Sequence, residues 1–173
     1  MSIPKKILNY LEKQGIKFEV VPHKKVYTAY DLAQTLGEKL EKIAKTLLIQ
    51  AEVPEVKKIA KKNYIVVVPA SYRANFDKIK KYLKAKKVSI APEKLILKLG
   101  VKPGALSPFG KMHDLEVLLD KALLKAKDVI VGAESFTESL RIKVKDLHKL
   151  ENTLVAAFGD KAKIGKPKKA KKK

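Results

Sequence analysis

Two short apolar runs set the limits on what this chain can fold into: IAKTLLIQA at residues 43–51 and YIVVVP at residues 64–69. The first is bounded by polar residues and is too short for a core helix, which makes it a buried strand. The second is the clearest strand in the chain. KFEVV (17–21), KKVSI (86–90), LEVLLD (115–120) and DVIVGA (128–133) read as further strands, and SLRIKV (139–144) alternates as a half-exposed one.

Helical segments lie between them. Ile7, Leu8 and Leu11 recur at helical spacing before Gly15, with Ser2 placed to cap. Thr28 with Asp31 resembles a capping box with a short acid and opens a helix that stops at Gly37. A helical turn follows over 38–42. An amphipathic helix is expected over 75–83, a short one over 92–99 that starts at Pro92 and ends at Gly100, and a closing helix over 145–158 that Gly159 terminates. Several strand-to-strand connections are too short for a helical crossover, and no internal repeat is present. The expectation is one α+β domain on a mixed sheet rather than a doubly wound parallel one.

A length of 173 residues suits one domain. The charge is the anomaly: 39 Lys and Arg against 18 Asp and Glu leave +21, a field that concentrates polyanions and points to nucleic acid as the partner class. Residues 161–173 carry eight of the lysines and no acid, and are expected to be a disordered tail after a domain over 1–160. Taking those eight from 39 leaves 31 bases against 18 acids, so the body is basic in its own right. Lysine enrichment also accompanies thermal adaptation. The only arginines are Arg73 and Arg141, which favours contact with a nucleic-acid backbone over reading of base edges.

With no cysteine there is no disulfide or thiol chemistry. No early apolar run has signal-peptide or membrane-spanning length, so a cytoplasmic protein with no membrane partner is expected. His23, His113 and His148 form no metal-ligand spacing. Neither metal nor other cofactor is expected. Nucleotide-binding glycine loops, nucleophile elbows and zincin motifs are all missing.

Two features break local rules. Alternation puts Lys45 on the same face as Ile43, Leu47 and Ile49, where an ammonium is costly unless it is paired or faces a cleft. The plainer reading is a frayed strand end with Lys45 reaching water. The second feature is KPGALSPFG at residues 102–110. It holds two of the chain's 8 prolines and two of its 8 glycines, so it offers rigid backbone N–H groups that can bind a carbonyl oxygen or an oxyanion. Taken alone it is better read as a tight structural turn. GAESFTES (132–139) gathers hydroxyls between two strands and fits either a pocket lining or a hairpin turn. Each histidine reads as a surface or packing residue rather than a general base, although His23 sits where a strand exits into a loop and can line a cleft.

Three ordered motifs, IAKTLLI (43–49), LGVKPGALSPFG (99–110) and VGAESFTESLRIKVKDL (131–147), resemble those of the YbaK and prolyl-tRNA synthetase-associated editing domain family, aminoacyl-tRNA deacylases that act in trans or as inserted synthetase domains. The resemblance covers most of residues 1–155. It implies a compact α+β domain in which a curved mixed β-sheet with flanking helices holds the aminoacyl-adenosine end of a mischarged tRNA. It implies Lys45 as the catalytic residue at the scissile ester, and Thr46, Gly104, Ala105, Leu106, Ser107, Pro108, Gly132 and Ser135 as substrate-binding residues. Such a site needs no metal or nucleophile triad, because an aminoacyl ester is already activated. In the third motif Glu134, Ser135, Phe136 and Thr137 stand where members often show a His or Gly-Gly, so the resemblance does not imply which amino acid is removed. The implied partners are mischarged tRNA and an aminoacyl-tRNA synthetase. A non-catalytic tRNA- or synthetase-binding module, and a structural basic RNA-binding protein, are the competing readings.

Overall fold

The computed structural model describes residues 2–162. YIVVVP forms the second half of β3 (Lys58–Pro69), and each of its residues is buried. β3 pairs antiparallel with β2 (Ala44–Glu55) and parallel with β6 (Glu116–Asp120), so it lies at the centre of a mixed five-stranded sheet. β5 (Lys87–Ile90) and β9 (Leu154–Ala156) are the edges. Ile65 and Val67 pack on one face with Ile7, Leu48, Phe109 and Leu147. Tyr64, Val66 and Val68 pack on the other with Ile49, Ile79 and Phe158. A strand covered on both faces must be apolar without interruption, and this is why its sequence is so legible.

A second sheet, antiparallel, runs β1 (Phe18–Pro22), β8 (Glu138–Lys143), β7 (Asp128–Val131). A parallel bridge between Ile43 and Ile130 joins it to the start of β2. β4 (Tyr72–Ala74) and β10 (Gly159–Lys161) make a two-stranded ribbon. Five helices complete the α+β fold: α1 (Lys5–Lys13), α2 (Ala29–Leu36), α3 (Phe76–Leu83), α4 (Glu93–Lys98) and α5 (Val144–Glu151).

Local chemistry explains most boundaries. Thr28 caps α2, its hydroxyl accepting from the Asp31 amide at 3.0 Å, and Gly37 closes it in the left-handed region at φ 68°. Asn75 caps α3 in the same way. Three expectations change. Ser2 does not cap α1; Pro4 takes that position without a side-chain bond, and the Ile3 amide is bound by Glu138 instead. β2 and β3 run longer than their apolar cores, because twelve residue pairs continue the hairpin out to a turn at Val56 and Lys57.

The closing helix is the largest difference. α5 ends at Glu151, where Asn152 turns left-handed at φ 50° and Thr153 donates back to His148 O at 3.2 Å. The following residues pair with β6 as β9, and Gly159 opens β10 rather than ending a helix. Buried Asp120 enforces this path, since its Oδ2 accepts both the Phe158 and Gly159 amides at 2.8 Å. Lys161 is the last residue of β10; the lysine-rich segment beyond 162 lies outside the described residues.

Candidate active site

β5 pairs with β2 only over residues 49–52. The part of β2 before it has no strand on that side, and there a cleft of about 280 Å³ opens. Its walls come from four segments: the exit of β1 into α2 (His23, Tyr27, Thr28), residues 44–47 of β2, residues 104–106, and the stretch between β7 and β8 with the first turn of β8 (Gly132, Ser135, Ser139).

Lys45 pairs across the hairpin with Val68 and so lies on the apolar face that alternation predicted. Lys45 lines the cleft, and its ammonium donates to the carbonyl of Tyr72 at 2.8 Å. Among the described residues it has no carboxylate partner. Burial, and secondarily the positive charge of Arg73, hold its pKa below the ordinary lysine value. A half-buried cation with only a carbonyl for company is poised to meet an anion or a developing negative charge. Next to it, the Thr46 hydroxyl is buried with no hydrogen-bond partner among the described residues, a deficit of about 1–3 kcal/mol unless something enters the cleft to satisfy it.

The loop at 102–110 is held from beneath. Ala105, Leu106 and Phe109 are buried in the first core cluster, and the Ala105 amide donates to Lys102 O at 3.0 Å. Among the described residues the amides of Gly104 and Leu106 meet no internal acceptor. Gly104 needs its freedom: φ is 90°, and a Cβ there would lie 3.4 Å from Tyr27 O. Gly132 allows the second wall to close on the first, since its Cβ would come within 2.9 Å of Leu106 O.

Seven of the nine residues implied by the motifs therefore meet at one cleft: Lys45, Thr46, Gly104, Ala105, Leu106, Gly132 and Ser135. Ser107 and Pro108 do not line it. Ser107 is fully buried, and its Oγ accepts from the Phe109 amide at 3.3 Å, so it shapes the loop from inside. The hydroxyl of Ser135 likewise accepts from the Thr137 and Glu138 amides, both at 3.1 Å. Sequence reasoning missed Tyr27 and Thr28 as lining residues, Thr28 being legible only as a cap, whereas Ser139 falls within the 132–139 stretch for which a pocket lining was one of two readings.

Glu134 anchors the 132–137 stretch. It is buried, sits left-handed at φ 61°, and binds His113 at 3.1 Å and Lys6 at 3.2 Å. Burial pushes its pKa up, but the hydrogen bonds and charges of His113 and Lys6 outweigh that and leave it below the usual glutamate value. A carboxylate favoured in the folded state stabilises above its unfolded pKa, and that contribution is lost as pH falls through the folded value. Glu134→Gln should thus lower the melting temperature at neutral pH, and the gap from the parent should narrow on acidification below the glutamate range. Melting curves from pH 7 down to 3 check this; a gap that is constant with pH would contradict it.

A model of the aminoacyl-tRNA editing domain matches residues 23–150, which include every wall of the cleft. The chain belongs to the aminoacyl-tRNA editing domain family. Membership makes it an aminoacyl-tRNA deacylase, a hydrolase acting on mischarged tRNA. The proline–tRNA ligase of Thermosipho melanesiensis is 30% identical to this editing domain over 115 residues, which is 66% of this chain but only 19% of the ligase. The prolyl-tRNA editing protein ProX of Acetoanaerobium sticklandii is 24% identical over 155 residues, covering 87% of this chain and 91% of that protein. The solved structure of hypothetical protein APE2540 shares the fold, with a TM-score of 0.78 at 21% identity over 90% of this chain and 99% of that one. Among the described residues no helix is long and apolar enough to cross a membrane, and no group of three or more His, Cys, Asp or Glu is placed to hold a metal.

Proposed function

We propose that this editing domain acts in trans on mischarged proline-accepting tRNA, hydrolysing the ester to free amino acid and free tRNA, with Lys45 beside the scissile bond. The observation that carries this is Lys45, without a carboxylate partner among the described residues, lining the same cleft as a rigid loop whose Gly104 and Leu106 amides meet no internal acceptor among those residues. Attack on the ester carbonyl develops an oxyanion, and fixed donors aimed at it act without reorganising during the reaction. Lys45 supplies the charge and the loop supplies backbone N–H groups. Thr46 offers its free hydroxyl to the ribose or the amino group.

The volume bears on the substrate. About 280 Å³ is at the small end of ligand sites, which run from roughly 300 to 1,000 Å³. It suits a small side chain on the ribose ester. Similarity to ProX and to a proline–tRNA ligase supports tRNA for proline as the carrier. The net charge of +21 supports a sequence-tolerant grip on its backbone. The site of action is then the cytoplasm, where translation runs, with a synthetase as the upstream partner.

A deacylation panel tests this. Proline-accepting tRNA charged in turn with alanine, serine, threonine, cysteine and proline is incubated with the chain, and release of amino acid is followed. Hydrolysis of at least one small non-cognate ester, with the prolyl ester spared, is expected. Binding of charged tRNA with no release across the panel would instead establish a non-catalytic carrier.

A further inference from the structure

Inside the cleft, one pair of side chains has no part in the scheme above. His23 Nε2 lies 2.9 Å from Ser139 Oγ, and its Nδ1 lies 2.8 Å from the carbonyl oxygen of Lys24. A carbonyl can only accept, so Nδ1 carries the proton. In the neutral ring Nε2 is then bare, and Ser139 must donate to it. The backbone places the pair. Ser139 stands opposite Val21 in the β1–β8 ladder, His23 follows two residues later on the same face, and the His23 amide is tied to Thr137 O at 2.9 Å. Ser139 is nearly buried, yet both residues line the cleft that holds Lys45.

We propose that Ser139 and His23 form the proton relay of this site, with Ser139 as the residue that touches the attacking water. The inference rests on the deacylase reading. Water donates to Ser139 Oγ as it attacks the ester carbonyl carbon; the serine's own proton passes to Nε2, and the new C–O bond leaves an oxyanion near Lys45. When the tetrahedral species collapses, the bond to the ribose oxygen breaks. The proton on Nε2 returns through Ser139 to that oxygen. Ester and water become acid and alcohol, and the pair ends as it began. The Lys24 carbonyl has a positioning role, because it fixes the tautomer and accepts from Nδ1 more strongly once the ring is charged.

The relay is tested on the full chain with Ser139→Ala, Ser139→Thr, His23→Gln and the double variant Ser139→Ala/His23→Gln. General acid–base help is worth about 10²- to 10⁴-fold. Ser139→Ala and His23→Gln should each lower kcat at least 100-fold with KM nearly unchanged. Ser139→Thr, which keeps the hydroxyl, should recover to within about tenfold of the parent. The double variant should fall no further than the worse single one, as groups acting in one unit do. A kcat within threefold of the parent in Ser139→Ala, a loss confined to KM, or two losses that multiply in the double variant would each overturn the relay.

A second measurement needs no turnover. The ¹⁵N spectrum of His23 should show a protonated Nδ1 and an accepting Nε2 that shifts in Ser139→Ala. The opposite tautomer overturns the relay even if the chain deacylates tRNA. Absence of hydrolysis by the unsubstituted chain on every charged tRNA would sink the deacylase reading instead, and the relay with it.

Discussion

Lys45→Ala should lower the rate of ester hydrolysis about 10²- to 10³-fold, the loss that follows removal of one donor to a developing oxyanion, and it should do so in a protein that melts no lower than the parent. The two halves of this expectation come from one observation. The ammonium is half-buried, its pKa is depressed by burial and by Arg73, and among the described residues its hydrogen-bond partner is the Tyr72 carbonyl alone. A charge kept in such a place without a carboxylate costs folding free energy. Removing it relieves that cost while removing the function. Lys45→Arg keeps the charge but swaps a compact ammonium for a planar fork, and should restore less than a tenth of the activity. Single-turnover deacylation beside thermal melts checks all three, and undiminished hydrolysis in Lys45→Ala would contradict the role given to it.

Gly132→Ala should also slow the reaction. The new Cβ would lie 2.9 Å from Leu106 O, a backbone atom on a loop whose neighbours are buried, so the walls must part by a few tenths of an ångström or more. Misplacement on the scale of 1 Å costs about 10²-fold in a positioned reaction. Overpacking of this kind adds a stability loss of about 1–3 kcal/mol. Gly37→Ala is the control. There φ is 68° and nothing lies within 4 Å of the Cβ position, so strain at the end of α2 should lower stability while kcat stays within twofold. Equal kinetic damage from both substitutions would mean that the narrow approach at Gly132 has no special bearing on the cleft.

Much of the fold was legible because its central strands are simple. β3 is covered on both faces, so YIVVVP has no polar residue to confuse its reading, and the cap at Thr28 is local chemistry that needs no partner. The stretch after α5 was misread for the opposite reason. Its helical pattern runs on past Asn152, and the strands β9 and β10 exist only because β6, β4 and the buried carboxylate of Asp120 receive them. No pattern within residues 152–161 reports a partner that lies more than thirty residues away.

The site divides in the same way. Lys45 and the loop at 102–110 stood out from the sequence because each breaks a local rule, a cation on an apolar face and a run of conformationally restricted residues. The sequence by itself thereby determined the chemistry on offer: one cation, rigid amides, no thiol and an excess of positive charge. Only the tertiary structure decided that Lys45 meets the carbonyl of Tyr72 rather than water, that Ser107 faces the core and not the cleft, and that His23 and Ser139 share a proton. A broken local rule is written in neighbouring residues. A hydrogen bond across 116 positions depends on which strands pair and in what register, and that is settled by burial of the whole core.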